Sequence, residues 1–204
     1  VAGCVSGHDD HHDHGSGHQR HILWIAFFLN FPLFVLELWQ GIDSGSTSLI
    51  ADSMDFLSDS ASYLITLHVL ARPLSVRAKA SIFKAFIMML IAVGALGQGI
   101  HNILHNHVPE HSTMGWVAAL ALLVNIICAY LLFKTRGQDS NMRSIWLCSR
   151  NDAFGNICVL AAAALVYATG TLWPDLAVAI IITWLNASAA VTIYRQAKRE
   201  LTQA

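Results

Sequence analysis

Charge is scarce in this chain. Asp, Glu, Lys and Arg make up 12% of its 204 residues, against roughly 25% in ordinary soluble domains. Mean hydropathy is +0.52. A soluble domain of this size could not hide so much apolar surface in one core, so the composition excludes that class. Cysteine is equally uninformative about an oxidising compartment: three of the four (Cys128, Cys148 and Cys158, but not Cys4) lie in apolar stretches, which excludes a disulfide framework. The N-terminus lacks the marks of a secretory signal, because it opens polar and His-rich and no A-x-A site follows the first apolar run. A net charge of −1 gives no general pull toward nucleic acid, and none is expected as a partner. No H-E-x-x-H motif or Ser/His pair argues for an intramembrane enzyme.

What is present is a series of apolar runs. Six of them, His21–Ile42, Ser46–Leu70, Ala80–Leu104, Thr113–Phe133, Ser144–Ala168 and Pro174–Tyr194, are each near the roughly 20 residues needed to cross a bilayer. Such runs must be helical, since hydrocarbon offers no partner to an unpaired backbone group. The expected fold is therefore all-α, a polytopic membrane protein with six transmembrane helices. Residues 1–20 read as a disordered His-rich tail, 21–196 as the membrane domain and 197–204 as a short C-terminal tail.

Lysine and arginine give the orientation. Arg20 precedes the first run; Arg72, Arg77, Lys79 and Lys84 flank the second connection; Lys134, Arg136 and Arg143 flank the fourth; Arg195, Lys198 and Arg199 follow the sixth. The first, third and fifth connections hold neither residue. Eleven of the 12 basic residues thus fall on one side, which the positive-inside rule makes cytoplasmic, with both termini there. Arg150 is the exception, inside the fifth run, where it must either snorkel or pair with an acid.

Acids inside the membrane carry the chemistry. The second run holds Asp52, Asp55 and Asp59, which at about 100° per residue share an arc of about 60° on one helix face. Asp55 and Asp59 are one turn apart, so both can reach one cation. In the fifth run Cys148 and Asp152 repeat the i, i+4 spacing. Two helices each offering such a pair can build a four-coordinate site of the kind that suits Zn²⁺-like ions. Two readings of Cys148 stand, a thiolate ligand or a small packing residue, with Asn151 or Ser149 offering an oxygen instead. Asp52 and Asn151 are expected beside the ligands rather than among them. Asn30 and Asn125 precede the acidic helices by similar distances and hint at an inverted repeat of three helices, though two interhelical hydrogen bonds would explain them equally. Glu37, well inside the first run, reads as a packed polar contact, and His68 and Gln98 as structural. In the tail, His8, His11, His12, His14 and His18 suit either metal capture or simple solvation.

At SLIADSMDFLSDS in the second run, LCSRNDAFGN in the fifth and WPDLAVAIIITWL opening the sixth, the chain resembles the cation diffusion facilitator family of divalent-metal transporters. The resemblance implies a transported metal bound near mid-membrane by Asp55 with Asp59 and by Cys148 with Asp152. It also implies a homodimer and a bacterial inner membrane. Family members usually have His or Asp where this chain has Cys148, and a thiolate favours softer ions. They also usually continue into a cytoplasmic domain, whereas this sequence stops at RQAKRELTQA, so dimerisation is expected through the membrane helices. The expected activity is efflux of a divalent metal, Zn²⁺ first and Cd²⁺, Co²⁺, Fe²⁺, Ni²⁺ or Mn²⁺ as alternatives, in exchange for protons. The alternative is an accessory or sensing protein that binds the ion without moving it.

Overall fold

A computed structural model describes residues 16–69, 74–133 and 140–203. Among these residues six helices make up the bundle: α1 (Ser16–Ser44), α2 (Thr47–Leu64, extended by a π-helical turn over Ile65–Val69), α3 (Leu74–His105), α4 (His111–Phe133), α5 (Ser140–Thr169) and α6 (Trp173–Gln203). Each apolar run of the sequence forms one of them. Two ends differ from expectation. Residues 16–20, read as tail, already belong to α1, and α6 continues almost to the end of the stretch read as a C-terminal tail. The helical pattern simply runs past the apolar residues, because exposed Arg195, Lys198 and Arg199 are good helix formers that need no core. His8, His11, His12 and His14 lie outside the described residues. His18 falls in the first turn of α1.

The bundle is apolar outside, and polar groups are set among the apolar side chains inside. Asn30, Glu37, Asp52, Ser149 and Asn156 are fully buried, while Phe28, Trp39, Phe83, Leu104, Tyr167 and Trp184 are largely exposed. In water such a surface would drive association; in a bilayer it faces a solvent as apolar as itself. Five helices (α1 and α3–α6) contain stretches long and apolar enough to cross a membrane unaided. The helix α2 does not, because three Asp and six Ser or Thr are spread over its 18 residues. It packs instead against α1, α3, α5 and α6, so its polar face meets protein rather than lipid. The protein is an all-α polytopic membrane protein with α2 at its centre.

The start of α2 is held from three sides. Ser46 caps it, accepting from the Leu49 N–H at 3.2 Å. Asp175, at the start of α6, accepts from the N–H groups of Thr47 at 2.8 Å and Ser48 at 3.1 Å, and from the hydroxyls of Ser46 at 2.8 Å and Ser48 at 2.6 Å. One carboxylate thereby satisfies the orphan donors of the helix end and meets the positive pole of its dipole. The α3–α4 connection completes the tie. The Glu110 N–H donates to Ser44 O at 3.0 Å, and its carboxylate accepts from Ser112 Oγ and Thr113 Oγ1 at 2.7 and 2.9 Å. Those two hydroxyls hold the Glu110 carboxyl below its ordinary range. From α3, Asn102 donates to Gly45 O at 2.7 Å, and Gly45 itself has φ +71°, which a side chain would strain.

Candidate metal site

Anchored at that end, α2 points its acids into the bundle in order. Asp52 is fully buried, Asp55 is half-buried one turn on, and Asp59 is buried one turn further. The i, i+3, i+7 spacing places all three on the face turned toward α5 and α6 or α1, as the sequence pattern requires. Asp59 is oriented from its own helix: the Tyr63 hydroxyl donates to Asp59 Oδ2 at 2.8 Å. Across the interface, the Asp152 carboxyl of α5 comes within hydrogen-bonding reach of Asp59. The Asn156 amide donates to Asp152 O at 2.9 Å and so packs over the same turn. Asp55 turns instead toward α6, where the Asn186 amide reaches it.

Cys148 is half-buried on α5, one turn before Asp152. Its neighbour Ser149 is fully buried and donates to Asn125 O of α4 at 3.4 Å. Asn151 differs from expectation. It is exposed, accepting from Arg150 Nη2 at 3.4 Å, and so lies away from the acids. Arg150 is exposed as well, with its guanidinium 5.3 Å from the centre of the Trp146 ring. The arginine therefore lies on the outer face of α5, stacked on an aromatic rather than paired with an acid. The helical period explains both: positions 150 and 151 stand about 160° and 100° from 152.

Asn30 and Asn125 are both buried, on α1 and α4. Asn30 donates to Ala26 O at 2.8 Å within α1 and to Cys128 Sγ at 3.2 Å across to α4, an interhelical hydrogen bond. Asn186 and Tyr63 were not apparent from sequence. An Asn in the middle of an apolar span is a usable signal; a Tyr one turn from an Asp is too common to be one. Among the described residues, no three His, Cys, Asp or Glu side chains converge closely enough to hold an ion in this conformation. The arrangement is two acid contacts, Asp59 with Asp152 and Glu37 with Asp52, flanked by Asp55.

Comparison with known proteins bears on what such an interior does. A family profile, the cation efflux transmembrane domain, matches residues 23–73 and 75–202. The metal cation efflux system protein CzcD of Cupriavidus metallidurans is 26% identical over 207 residues, covering 92% of this chain and 65% of its own length. The cadmium, cobalt and zinc/H(+)-K(+) antiporter of Bacillus velezensis is 27% identical over 197 residues, covering 88% and 61%. The zinc transporter ZitB of Escherichia coli is 25% identical over 211 residues, covering 94% and 67%. The chain thus spans less than two thirds of the length of the first two of these relatives. Matched along almost all of its helical bundle, acidic α2 and α5 included, the chain belongs to the cation efflux, or cation diffusion facilitator, family.

Proposed function

We propose that the chain transports a divalent metal cation, Zn²⁺ first among candidates, out of the cytoplasm in exchange for protons. One observation carries this reading: carboxyls of two helices, Asp59 on α2 and Asp152 on α5, meet inside the bundle with Asp55 and Cys148 each one turn away. Asp55, Asp59, Cys148 and Asp152 are the proposed ligands. A small shift of α5 against α2 would close four donors around an ion, and carboxylates hold either a metal or a proton, as an exchanger requires. The names of the relatives, two of them zinc transporters or antiporters, point the same way. Transport rather than catalysis is the activity, and a homodimer in a bacterial inner membrane is the proposed setting. The test is Zn²⁺ flux in proteoliposomes: an imposed pH gradient should drive Zn²⁺ against its own gradient. Tight binding with no flux under any gradient would make the protein an accessory or sensor.

The proposal includes six crossings, α2 among them, with both termini cytoplasmic. Introduced cysteines at Ser112 and Gly170 should then react with an impermeant reagent in intact cells, and one at Thr202 should not. Labelling of Thr202 from outside would reverse the orientation.

Cys148 sets the proposed preference among metals. A thiolate adds affinity for soft ions and little for hard ones. Cys148→Ser should weaken Cd²⁺ binding by an order of magnitude or more while changing Mn²⁺ little. Equal effects on the two ions would return Cys148 to a packing role.

A further inference from the structure

The proposed ligands leave one buried acid pair unused. Glu37 of α1 and Asp52 of α2 are both fully buried, and their carboxyls face each other within hydrogen-bonding reach. Among the described residues no N–H or O–H donor meets any of their four oxygens, and neither carboxyl is paired with a cation. Two carboxyls buried this deeply and facing each other cannot both carry a negative charge. A positive charge shared between them relieves the repulsion. A metal of the Zn²⁺ type needs about four ligands, more than this pair of side chains offers. A proton needs only two facing oxygens.

We propose that Glu37 and Asp52 form a proton-binding site, distinct from the metal ligands, that releases one proton to water when the metal binds and recovers it when the metal leaves. The inference rests on metal binding at Asp55, Asp59 and Asp152. Coupling is electrostatic. Asp52 lies three residues before Asp55 on the same helix face, and the charges bearing on the pair are all negative: Asp55 on α2, and Asp152 across on α5. From α6 comes the neutral Asn186, and Asp175 is engaged at the start of α2. A divalent cation arriving among these acids replaces repulsion with attraction and lets the pair give up its proton. The same linkage read backwards loads the pair as the metal departs. In the sequence, Glu37 shows only as one polar residue in an apolar run. The fold supplies its partner.

The number of protons released per Zn²⁺ bound can be read from calorimetry of the purified protein in buffers of different ionisation enthalpy. Glu37→Gln and Asp52→Asn should each lower that number by about one while Zn²⁺ affinity stays within about tenfold, and the double variant should lose no more than either alone. Infrared spectra of Zn²⁺-saturated protein give a second readout. Just below the pH at which the wild type releases this proton, a protonated-carboxyl band should be present and should be absent from both variants. An unchanged proton count in both variants overturns the inference, as does a collapse of Zn²⁺ affinity like that of a lost ligand. Wild-type protein that binds Zn²⁺ and releases protons yet shows no flux overturns the transport reading and leaves the pair standing. Wild-type protein that binds no Zn²⁺ overturns both.

Discussion

Asp59→Asn and Asp152→Asn are each expected to abolish Zn²⁺ uptake into proteoliposomes, and Asp55→Asn to reduce it nearly as far. Each substitution keeps the shape of the side chain and removes one oxygen donor and one negative charge. Loss of partners that only orient a ligand already costs 10–100-fold in metal affinity; loss of a ligand itself should cost more than about 100-fold. The local geometry ranks the three. Asp59 meets Asp152 directly and is aimed by the Tyr63 hydroxyl, so either replacement puts an amide, which cannot ligate as a carboxylate does, where acids of α2 and α5 meet. Asp55 faces Asn186 and stands a turn away. Uptake should also fall as pH drops on the metal-loaded side, because every ligand has to lose its proton before the ion binds. Asp43→Asn, on the exposed last turn of α1, should keep most of the activity and serves as the control for charge. Normal uptake by both Asp59→Asn and Asp152→Asn would place the ion elsewhere.

Five of the six helices, α1 and α3–α6, were legible because a bilayer imposes a length and a composition on a segment that crosses it. The acidic face of α2 was legible because 3.6 residues per turn converts spacing into direction. Partners were harder to read. Periodicity gives the face of a helix but not which helix it meets, so Glu37, placed in sequence as an isolated polar contact, turns out to face Asp52. Asn151 shows the opposite failure. It is adjacent to Asp152 in sequence and therefore about 100° away on the helix, where it meets Arg150 outside the acidic centre. Helix ends were the least legible feature, since exposed polar residues such as Arg195 and Lys198 extend α6 without any apolar signal.

Gly41 is where packing and the buried acids depend on one missing methyl. It lies one turn after Glu37 on the same face of α1, against the first turn of α2. A Cβ there would lie 2.8 Å from Ile50 Cγ1, 2.9 Å from the Ile50 backbone N and 3.2 Å from Leu49 Cβ. The Ile50 side chain can turn away, but the backbone nitrogen of a helix capped by Ser46 and tied to Asp175 cannot. The two helices must separate. Helix propensity alone would make Gly→Ala stabilising by about 0.5–1 kcal/mol. Overpacking costs about 1–3 kcal/mol or more, so the sign reverses here. Gly41→Ala should lower the melting temperature in detergent, and Gly41→Val should lower it far more, with a stability loss of about 3 kcal/mol or beyond. Gly94→Ala on α3, where nothing lies within 4 Å, should raise it slightly. Gly99 gives the intermediate case: its Cβ would meet Leu176 Cδ1 at 2.9 Å, the far end of a flexible side chain, so Gly99→Ala should cost little. Because the displaced α1 carries Glu37 with it, Gly41→Val should also draw the Glu37 carboxyl off Asp52 and lower the proton count per Zn²⁺ in the protein that remains folded. Equal melting temperatures for Gly41→Val and the wild type would mean that α1 and α2 do not approach this closely in the membrane.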